Sequence, residues 1–376
     1  MPSQRTSRTR ARLAVLPRAL RALASTAGRR RPASQPARIL VAHHLLLGDT
    51  LMLTPLLAKL RERFPQAEVV MTVSPPIAPL YGGRPYGVRA TSYDPRASHA
   101  ALFAEPGYDL AIVPGDNRYS WLAAALGARW IVAFGGDRPA YKSWPVDELR
   151  PYPDVPTAWG DAVAKLIDGS EPLPYDPREW RPPIAAGFER PKAPYALLHV
   201  GASTPLKLWA PERWRELAAR LAGLGLGIVW SGGPGEGHIA QSIDAQGRHV
   251  SYAGLLDLPQ MWQLIAGARL LVCPDTGIAH LGRLVDTPTV ALFGPGSATL
   301  CGNGRFWRNS PYVALTEEPF PCRDQQVLFK REIGWVQRCA RSTRECSHGK
   351  CMDALDVTHV YREAVALLDA GHGARA

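Results

Sequence analysis

Four short segments of this 376-residue chain combine residue types suited to a charged, oxygen-rich substrate. The first is Gly48-Asp49, directly after an apolar run. Asp49 there could take a proton from a hydroxyl, or simply cap the helix that follows. The second, Gly201-Ala-Ser203-Thr204-Pro-Leu-Lys207-Leu-Trp209, offers two hydroxyls and an ammonium suited to phosphate oxygens, and reads equally as an ordinary polar loop. The third runs from Ser231 to Gly237 and is not a proper G-x-G-x-x-G fingerprint. Its glycines could be turn chemistry, or Glu236 could accept hydrogen bonds from a ribose. The fourth, Pro274-Asp275-Thr276-Gly277-Ile278-Ala-His280, reads as a helix start whose free N–H groups could receive a diphosphate. His280, one turn in, stays open between a satisfied core histidine and a ligand contact.

Something must hold these segments in place. Ile39–Ala42 is a short apolar strand, followed by Leu53, Leu56, Leu57, Leu60 and Phe64 at helical spacing, with Lys59, Arg61 and Glu62 on the other side. Glu68–Val73, Asp109–Val113 and Trp130–Phe134 read as further buried strands, with an Ala-rich helix near 121–126. After a proline-dense passage over 137–192 the pattern restarts. Tyr195–Val200, Gly227–Trp230, Leu270–Cys273 and Thr289–Phe293 are strands, separated by helices over 211–224, 261–266 and 278–285. Such alternation predicts an α/β chain with two Rossmann-like domains facing a cleft, ligands meeting the carboxyl ends of the strands. The divisions expected are a basic, flexible tail over 1–38, domains over 39–190 and 191–354, and a C-terminal helix and tail over 355–376.

Charge is concentrated at one end. Ten arginines and no acid occupy residues 1–38, leaving 34 basic against 33 acidic residues elsewhere, although the whole chain carries +11. A neutral body argues against a nucleic-acid groove. In the tail, Leu13, Leu16, Leu20 and Leu23 fall near helical spacing among arginines, which suits adsorption to an anionic membrane surface. A solvated, disordered extension or an Arg-rich transit peptide fits the same composition, whereas Arg18 and Arg21 interrupt the apolar run a secretory signal needs. The most apolar stretch, 39–58, holds Asp49 and Pro55, so a membrane-spanning helix is not expected. Of six cysteines, Cys322, Cys339, Cys346 and Cys351 sit close together near the C-terminus without paired C-x2-C spacing. Free thiols, a structural metal and disulfides all remain open.

Taken together, three blocks resemble the glycosyltransferase family that contains the ADP-heptose:lipopolysaccharide heptosyltransferases. They are Leu47-Gly48-Asp49-Thr50 with Thr54-Pro55; Lys207-Leu-Trp209 with Pro211, Trp214 and Leu217; and Asp275-Thr-Gly-Ile-Ala-His280 through Pro288-Thr-Val-Ala-Leu-Phe-Gly-Pro295. The resemblance implies a GT-B architecture, an ADP-heptose donor, a lipopolysaccharide-core acceptor (lipid-linked or oligosaccharide), and inverting transfer with neither metal nor cofactor. A cytoplasmic enzyme is expected, and the basic tail, if it adsorbs to a membrane, would give peripheral contact at the inner face of the inner membrane. Asp49 falls on the family's catalytic aspartate and Lys207 on its phosphate-binding lysine. Ser203 and Thr204 lie at or beside its hydroxyl positions, and Glu236 near its ribose-contacting acid. Asp275, Thr276, Gly277, Ile278 and His280 make up the block around the donor diphosphate.

The 18 aspartates include no D-x-D, the commonest metal–diphosphate clamp. One departure stands out. His43-His44-Leu45-Leu46-Leu47 occupies the place where the family has a basic residue and then two serines, and leucine makes no hydrogen bonds to a sugar. Another nucleotide-sugar or another surface-polysaccharide acceptor is therefore an alternative. A nucleotide-binding protein without transfer activity is a further one, against which Asp49 and Lys207 count.

Overall fold

The computed structural model describes residues 8–26, 31–97, 100–191 and 194–373. Twelve strands form two parallel six-stranded sheets. The first contains β1 (Arg38–Val41), β2 (Glu68–Val73), β3 (Arg89–Ser92), β4 (Leu110–Val113), β5 (Ile131–Phe134) and β6 (Glu148–Arg150), ordered β3-β2-β1-β4-β5-β6. The second contains β7 (Tyr195–His199), β8 (Gly227–Ser231), β9 (Val250–Ser251), β10 (Leu270–Pro274), β11 (Thr289–Phe293) and β12 (Tyr312–Thr316), ordered β12-β11-β10-β7-β8-β9. Counted from its own first strand, each sheet runs 3-2-1-4-5-6, the doubly wound Rossmann order. This matches the α/β, GT-B expectation.

The inner strands are continuous Val, Ile, Leu and Ala runs because helices cover both faces. Those helices begin with α1 (Arg8–Thr26), α2 (Leu47–Leu51), α3 (Thr54–Arg63), α4 (Ala100–Phe103), α5 (Ser120–Ala125) and α6 (Trp159–Ala164). The second half adds α7 (Pro211–Ala222), α8 (Gly237–Ile243), α9 (Leu258–Gly267), α10 (Gly277–Leu284), α11 (Ala298–Cys301), α12 (Lys350–Asp353) and α13 (Val357–Gly373). Local sequence explains their starts. Pro211 opens α7, where its missing N–H costs nothing, and Trp214, Leu217, Ala218 and Leu221 form the buried stripe. Asp257 and Gln260 close a reciprocal capping box at α9.

One apolar cluster joins the two halves. Trp180, from the segment between the sheets, packs on Tyr81 (centroids 4.9 Å apart) and on Trp262 (6.1 Å), and its indole N–H donates to the Leu80 carbonyl at 3.0 Å. A second connection runs the other way. After β12 the chain leaves the second sheet and forms a small antiparallel hairpin, β13 (Val327–Leu328) and β14 (Arg331–Glu332). From it Arg331 reaches into the first unit, donating to the carbonyls of Gly135 (2.9 Å) and Gly115 (2.8 Å) and to Asn117 Oδ1 (2.6 Å). Part of the 191–354 segment therefore straps the first unit, before α12 and α13 return to the second.

The N-terminal segment also differs from a flexible tail. Residues 8–26 form α1, which packs beside α5 with Ala19 fully buried and Val15 and Leu23 against the same cluster. The docked stripe is 15/19/23, so of the leucines that set the expectation Leu23 packs inward while Leu16 and Leu20 face outward. Burial of a small residue lets the helix approach closely, and Arg18 stacks over Phe103 at 4.3 Å. Residues 1–7 and 27–30 of the expected tail lie outside the described residues.

Candidate active site

Strand order reverses between β1 and β4 in the first sheet and between β7 and β10 in the second. Crevices open at such switch points beyond the carboxyl ends of the strands. The segments after β1, β7 and β10 carry Asp49, Lys207 and Asp275, so topology alone brings three of the four singled-out segments to the two crevices.

The crevices meet where α2 faces α10. A Cβ built on Gly48 would stand 2.8 Å from His280 Cδ2 and 3.4 Å from the Gly277 Cα, and one on Gly277 would meet the Leu47 side chain at 2.8 Å. Only glycine at both positions lets the two helix starts approach this closely. Asp49 lies in the first turn of α2, whose N-cap is Leu46 with no side-chain cap, so the carboxylate is not used for capping. Among the described residues no hydrogen bond reaches it. Burial and the nearby Asp275 charge push its carboxyl up to about 6, against the pull of Lys207 and Arg338. That value suits a base working near neutrality.

Across the contact, Lys207 ends a short turn after β7 whose start is capped by Thr204 Oγ1, accepting from Leu206 N at 3.4 Å. The Lys207 ammonium donates to Asp275 Oδ2 at 2.7 Å and to the Asp275 carbonyl at 2.8 Å. Thr276 is the N-cap of α10, accepting from Ile278 N at 3.3 Å, and Gly277 and Ile278 form the first turn. Ammonium and helix N-terminus thus give one electropositive edge.

His280 is buried, and burial together with the Arg283 and Lys207 charges holds its imidazole far on the neutral side. The Arg283 guanidinium, which can only donate, bonds His280 Nδ1 at 2.6 Å. The ring proton of a neutral His280 then sits on Nε2, making it a donor. Arg283 is itself fixed by the Gly302 carbonyl at 2.8 Å and by the faces of Trp307 and Tyr312.

Glu236, at the start of α8, accepts from Gly233 N at 2.5 Å, and its carboxylate lies against Gly201, tying the third segment to the second. Ser203 is exposed and makes no hydrogen bond among the described residues. In the departing segment, His43 is buried, its ring kept neutral by burial down to about 3, and its Nδ1 accepts from Leu45 N at 3.2 Å. Leu46 beside it is 76% exposed.

Two contributors escaped the sequence reading. Arg338 comes near enough for its charge to act on Asp49, yet it lies in a segment with no periodicity to mark it. Arg283 was findable, because an arginine three residues after a histidine on one helix shares its face. Asp275, His280 and Cys301 offer ligand atoms within 4.8 Å of one another. Lys207 already occupies the Asp275 carboxylate and Arg283 the His280 ring, so two fixed cations stand where a metal would have to bind, and the residues do not fit one.

Residues 169–331 match the glycosyltransferase family 9 (heptosyltransferase) profile. Lipopolysaccharide heptosyltransferase 1 of Pseudomonas aeruginosa is 29% identical over 236 residues, which cover 58% of this chain and 62% of that protein. The chain thus spans less than two thirds of that relative's length. Among solved structures, E. coli ADP-heptose lps heptosyltransferase II shares the fold with a TM-score of 0.66 at 18% identity, covering 89% of this chain and 99% of that one. The E. coli heptosyltransferase WaaC, solved with ADP-2-deoxy-2-fluoro heptose, gives 0.60 at 19% identity, covering 86% and 98%.

Proposed function

We propose that the chain is a member of glycosyltransferase family 9, whose profile matches residues 169–331, and that it transfers heptose from ADP-heptose to a lipopolysaccharide-core acceptor by metal-independent, inverting displacement. The donor is argued from the neighbour that binds an ADP-heptose analogue, and the acceptor from the lipopolysaccharide heptosyltransferase relative. The observation that carries the reading is Asp49. Its carboxyl has no hydrogen-bond partner among the described residues, is pushed up to about 6 by burial and the Asp275 charge, and faces a fixed ammonium and a helix start across the cleft.

In the proposed step an acceptor hydroxyl oxygen attacks the anomeric carbon of the heptose from the face opposite the diphosphate. The carbon–oxygen bond to the β-phosphate breaks, ADP leaves with the electron pair, and Asp49 takes the hydroxyl proton. A single displacement inverts the anomeric centre. Lys207, the α10 N–H groups and the His280 Nε2–H point positive charge at the diphosphate as it gathers negative charge, which in a dry cleft lowers the barrier more than it would in water. Ser203, Thr204 and Glu236 border the nucleotide side, Glu236 as the acceptor for ribose hydroxyls.

A second reading keeps the reaction and changes the sugar or acceptor. Leu46, 76% exposed, presents an apolar surface where the family has a serine. One experiment separates the two: purified protein with a panel of nucleotide-sugars and core acceptors, products read by mass spectrometry, magnesium omitted and EDTA added just before the assay. Heptosyl mass gain with ADP release supports the first reading, and turnover of another donor alone supports the second. A reaction that needs magnesium sinks the metal-free mechanism.

A further inference from the structure

One thiol lies inside the candidate active site, and the proposed transfer makes no use of it. Cys301 ends α11, the short helix that follows the Gly294-Pro295-Gly296 turn at the end of β11. That turn runs against Asp275, since a Cβ on Gly296 would collide with the Asp275 carboxylate. Ser297 caps α11 by accepting from Leu300 N at 3.4 Å, and Cys301 donates its N–H to the Ser297 carbonyl at 3.1 Å. The next residue is held from the other side. Its carbonyl, that of Gly302, accepts at 2.8 Å from Arg283, the same guanidinium that bonds His280. With α10 and α11 tied in this way, the Cys301 Sγ, an Asp275 carboxylate oxygen and a His280 ring nitrogen lie within 4.8 Å of one another.

Cys301 is half-buried, and among the described residues its thiol makes no hydrogen bond. The charges of Asp275, Asp49, Lys207 and Arg283 all act on it. Asp49 belongs to the first unit and the other three to the second, so the thiol stands where base and leaving-group clamp face each other. A second group nearby is also uncommitted. The Tyr312 hydroxyl, buried within electrostatic reach of Cys301 and Asp275, has no hydrogen-bond partner among the described residues. A buried O–H left unpaired costs free energy, which a polar ligand or a water accepting from it would relieve.

We propose, resting on the donor assignment above, that Cys301 is a substrate-contacting residue that sets how large a sugar the donor site admits, its thiol walling the anomeric end of the nucleotide-sugar between Asp49 and the Asp275–Lys207 clamp. In the displacement the anomeric carbon must be in reach of both the activated hydroxyl and the diphosphate, so the sugar occupies the space these groups enclose. A sulfur on a single methylene is compact there. Burial and the Asp275 and Asp49 charges push the Cys301 thiol up, so it stays protonated and sets no further negative charge against the diphosphate. Its S–H is a weak donor, so it reads the sugar by shape more than by direction. The nucleoside is placed on the Ser203, Thr204 and Glu236 side, so a longer side chain at 301 obstructs the sugar and spares the nucleotide.

The test uses the full chain, reduced and without acceptor. Labelling of each cysteine by N-ethylmaleimide is followed by peptide mass spectrometry for the protein alone, with ADP, and with ADP-2-deoxy-2-fluoro heptose. With ligand about tenfold above its dissociation constant, measured by calorimetry on the same protein, the sugar nucleotide should slow Cys301 labelling about tenfold. ADP should slow it less, and Cys322 and Cys346 should label at one rate throughout. Cys301→Leu should bind the sugar nucleotide at least about tenfold more weakly, with ADP affinity changed less than about twofold, and Cys301→Ser should recover sugar binding. Equal labelling with and without bound sugar nucleotide, or a Cys301→Leu chain that binds it as well as wild type, overturns the proposal while the donor assignment stands. A wild type that binds no sugar nucleotide overturns both. If Cys301 resists the reagent in the free chain, the variant affinities decide, and if Cys301→Leu fails to fold, the labelling does.

Discussion

The Lys207 ammonium holds Asp275 at two points, its carboxylate at 2.7 Å and its backbone carbonyl at 2.8 Å, and so locks the strand-end loop after β7 to the start of α10. This pair also governs Asp49 from across the cleft. Burial raises the Asp49 carboxyl most, and on that background Asp275 raises it further while Lys207 lowers it, so the two charges of the pair trim the value of about 6 in opposite directions. The leaving-group clamp and the base are therefore one electrostatic unit.

The sign of each change follows. Lys207→Ala removes an attraction and leaves Asp275 uncompensated, so Asp49 holds its proton to higher pH. Asp275→Asn removes a repulsion, so Asp49 ionises at lower pH. In residual turnover measured against pH, the acid limb, near 6 in the wild type, should move up by about one unit in the first variant and down in the second. Lys207→Ala should also lower turnover more than donor affinity, because its charge matters most as the diphosphate departs. Limbs that move in the same direction would separate Asp49 from this pair.

Much of this was legible in the chain. The eight strands read from sequence are the inner strands of the two sheets, because burial on both faces leaves unbroken apolar runs. The four not seen are the sheet edges, β3, β6, β9 and β12, most of whose residues are not fully buried, so hydrophobicity gave them no outline. Asp49, Lys207 and Asp275 were findable because Rossmann topology sends particular loops to the crevice. Arg338 was not, since only the strap's hydrogen bonds bring it back.

Replacing Asp49 should separate activity from stability. Asp49→Asn removes the base and should lower turnover on the order of 10²–10⁴-fold. Asp49's folded value of about 6 lies above the ordinary 3.8. The stability this group contributes is therefore full below the ordinary value and lost as pH rises through the folded one. At neutral pH the wild type folds against that cost, about 1–2 kcal/mol after discounting for solvent screening. Asn carries no such cost, and Asp49 is not a cap whose loss would offset the gain. Tm of the variant should exceed wild type above pH 7 and converge with it in acid. A variant less stable at neutral pH would mean that Asp49 does structural work.

Helix α1 carries a separable prediction. Leu16 and Leu20, 46% and 51% exposed, stand outward beside Arg18 and Arg21 while Ala19 anchors the helix to the fold. If this face adsorbs to anionic membranes, Leu16→Gln with Leu20→Gln should weaken binding to phosphatidylglycerol vesicles without changing transfer to a soluble acceptor. Added salt should weaken wild-type binding, since exposed charges are screened beyond about 8 Å at physiological ionic strength. Equal sedimentation of both proteins with vesicles would remove the membrane role.

The closest test of the cleft geometry is Gly48→Ala. The new methyl would stand 2.8 Å from His280 Cδ2, and the ring cannot yield easily because Arg283 holds its Nδ1 at 2.6 Å. The starts of α2 and α10 must then separate by a few tenths of an ångström, carrying Asp49 away from Lys207 while each sheet keeps its own core. Misalignment on this scale should lower turnover roughly ten- to a hundredfold, with circular dichroism unchanged and the acid limb of the pH profile displaced as Asp49 leaves the Lys207–Asp275 field. Gly187→Ala serves as the control, because nothing lies within 4 Å of the added methyl. Full activity in Gly48→Ala would show that the two helix starts need not meet for transfer to occur. The base would then have to act from an arrangement in which Asp49 and Lys207 stand apart, and their shared control of the pH profile should vanish with it.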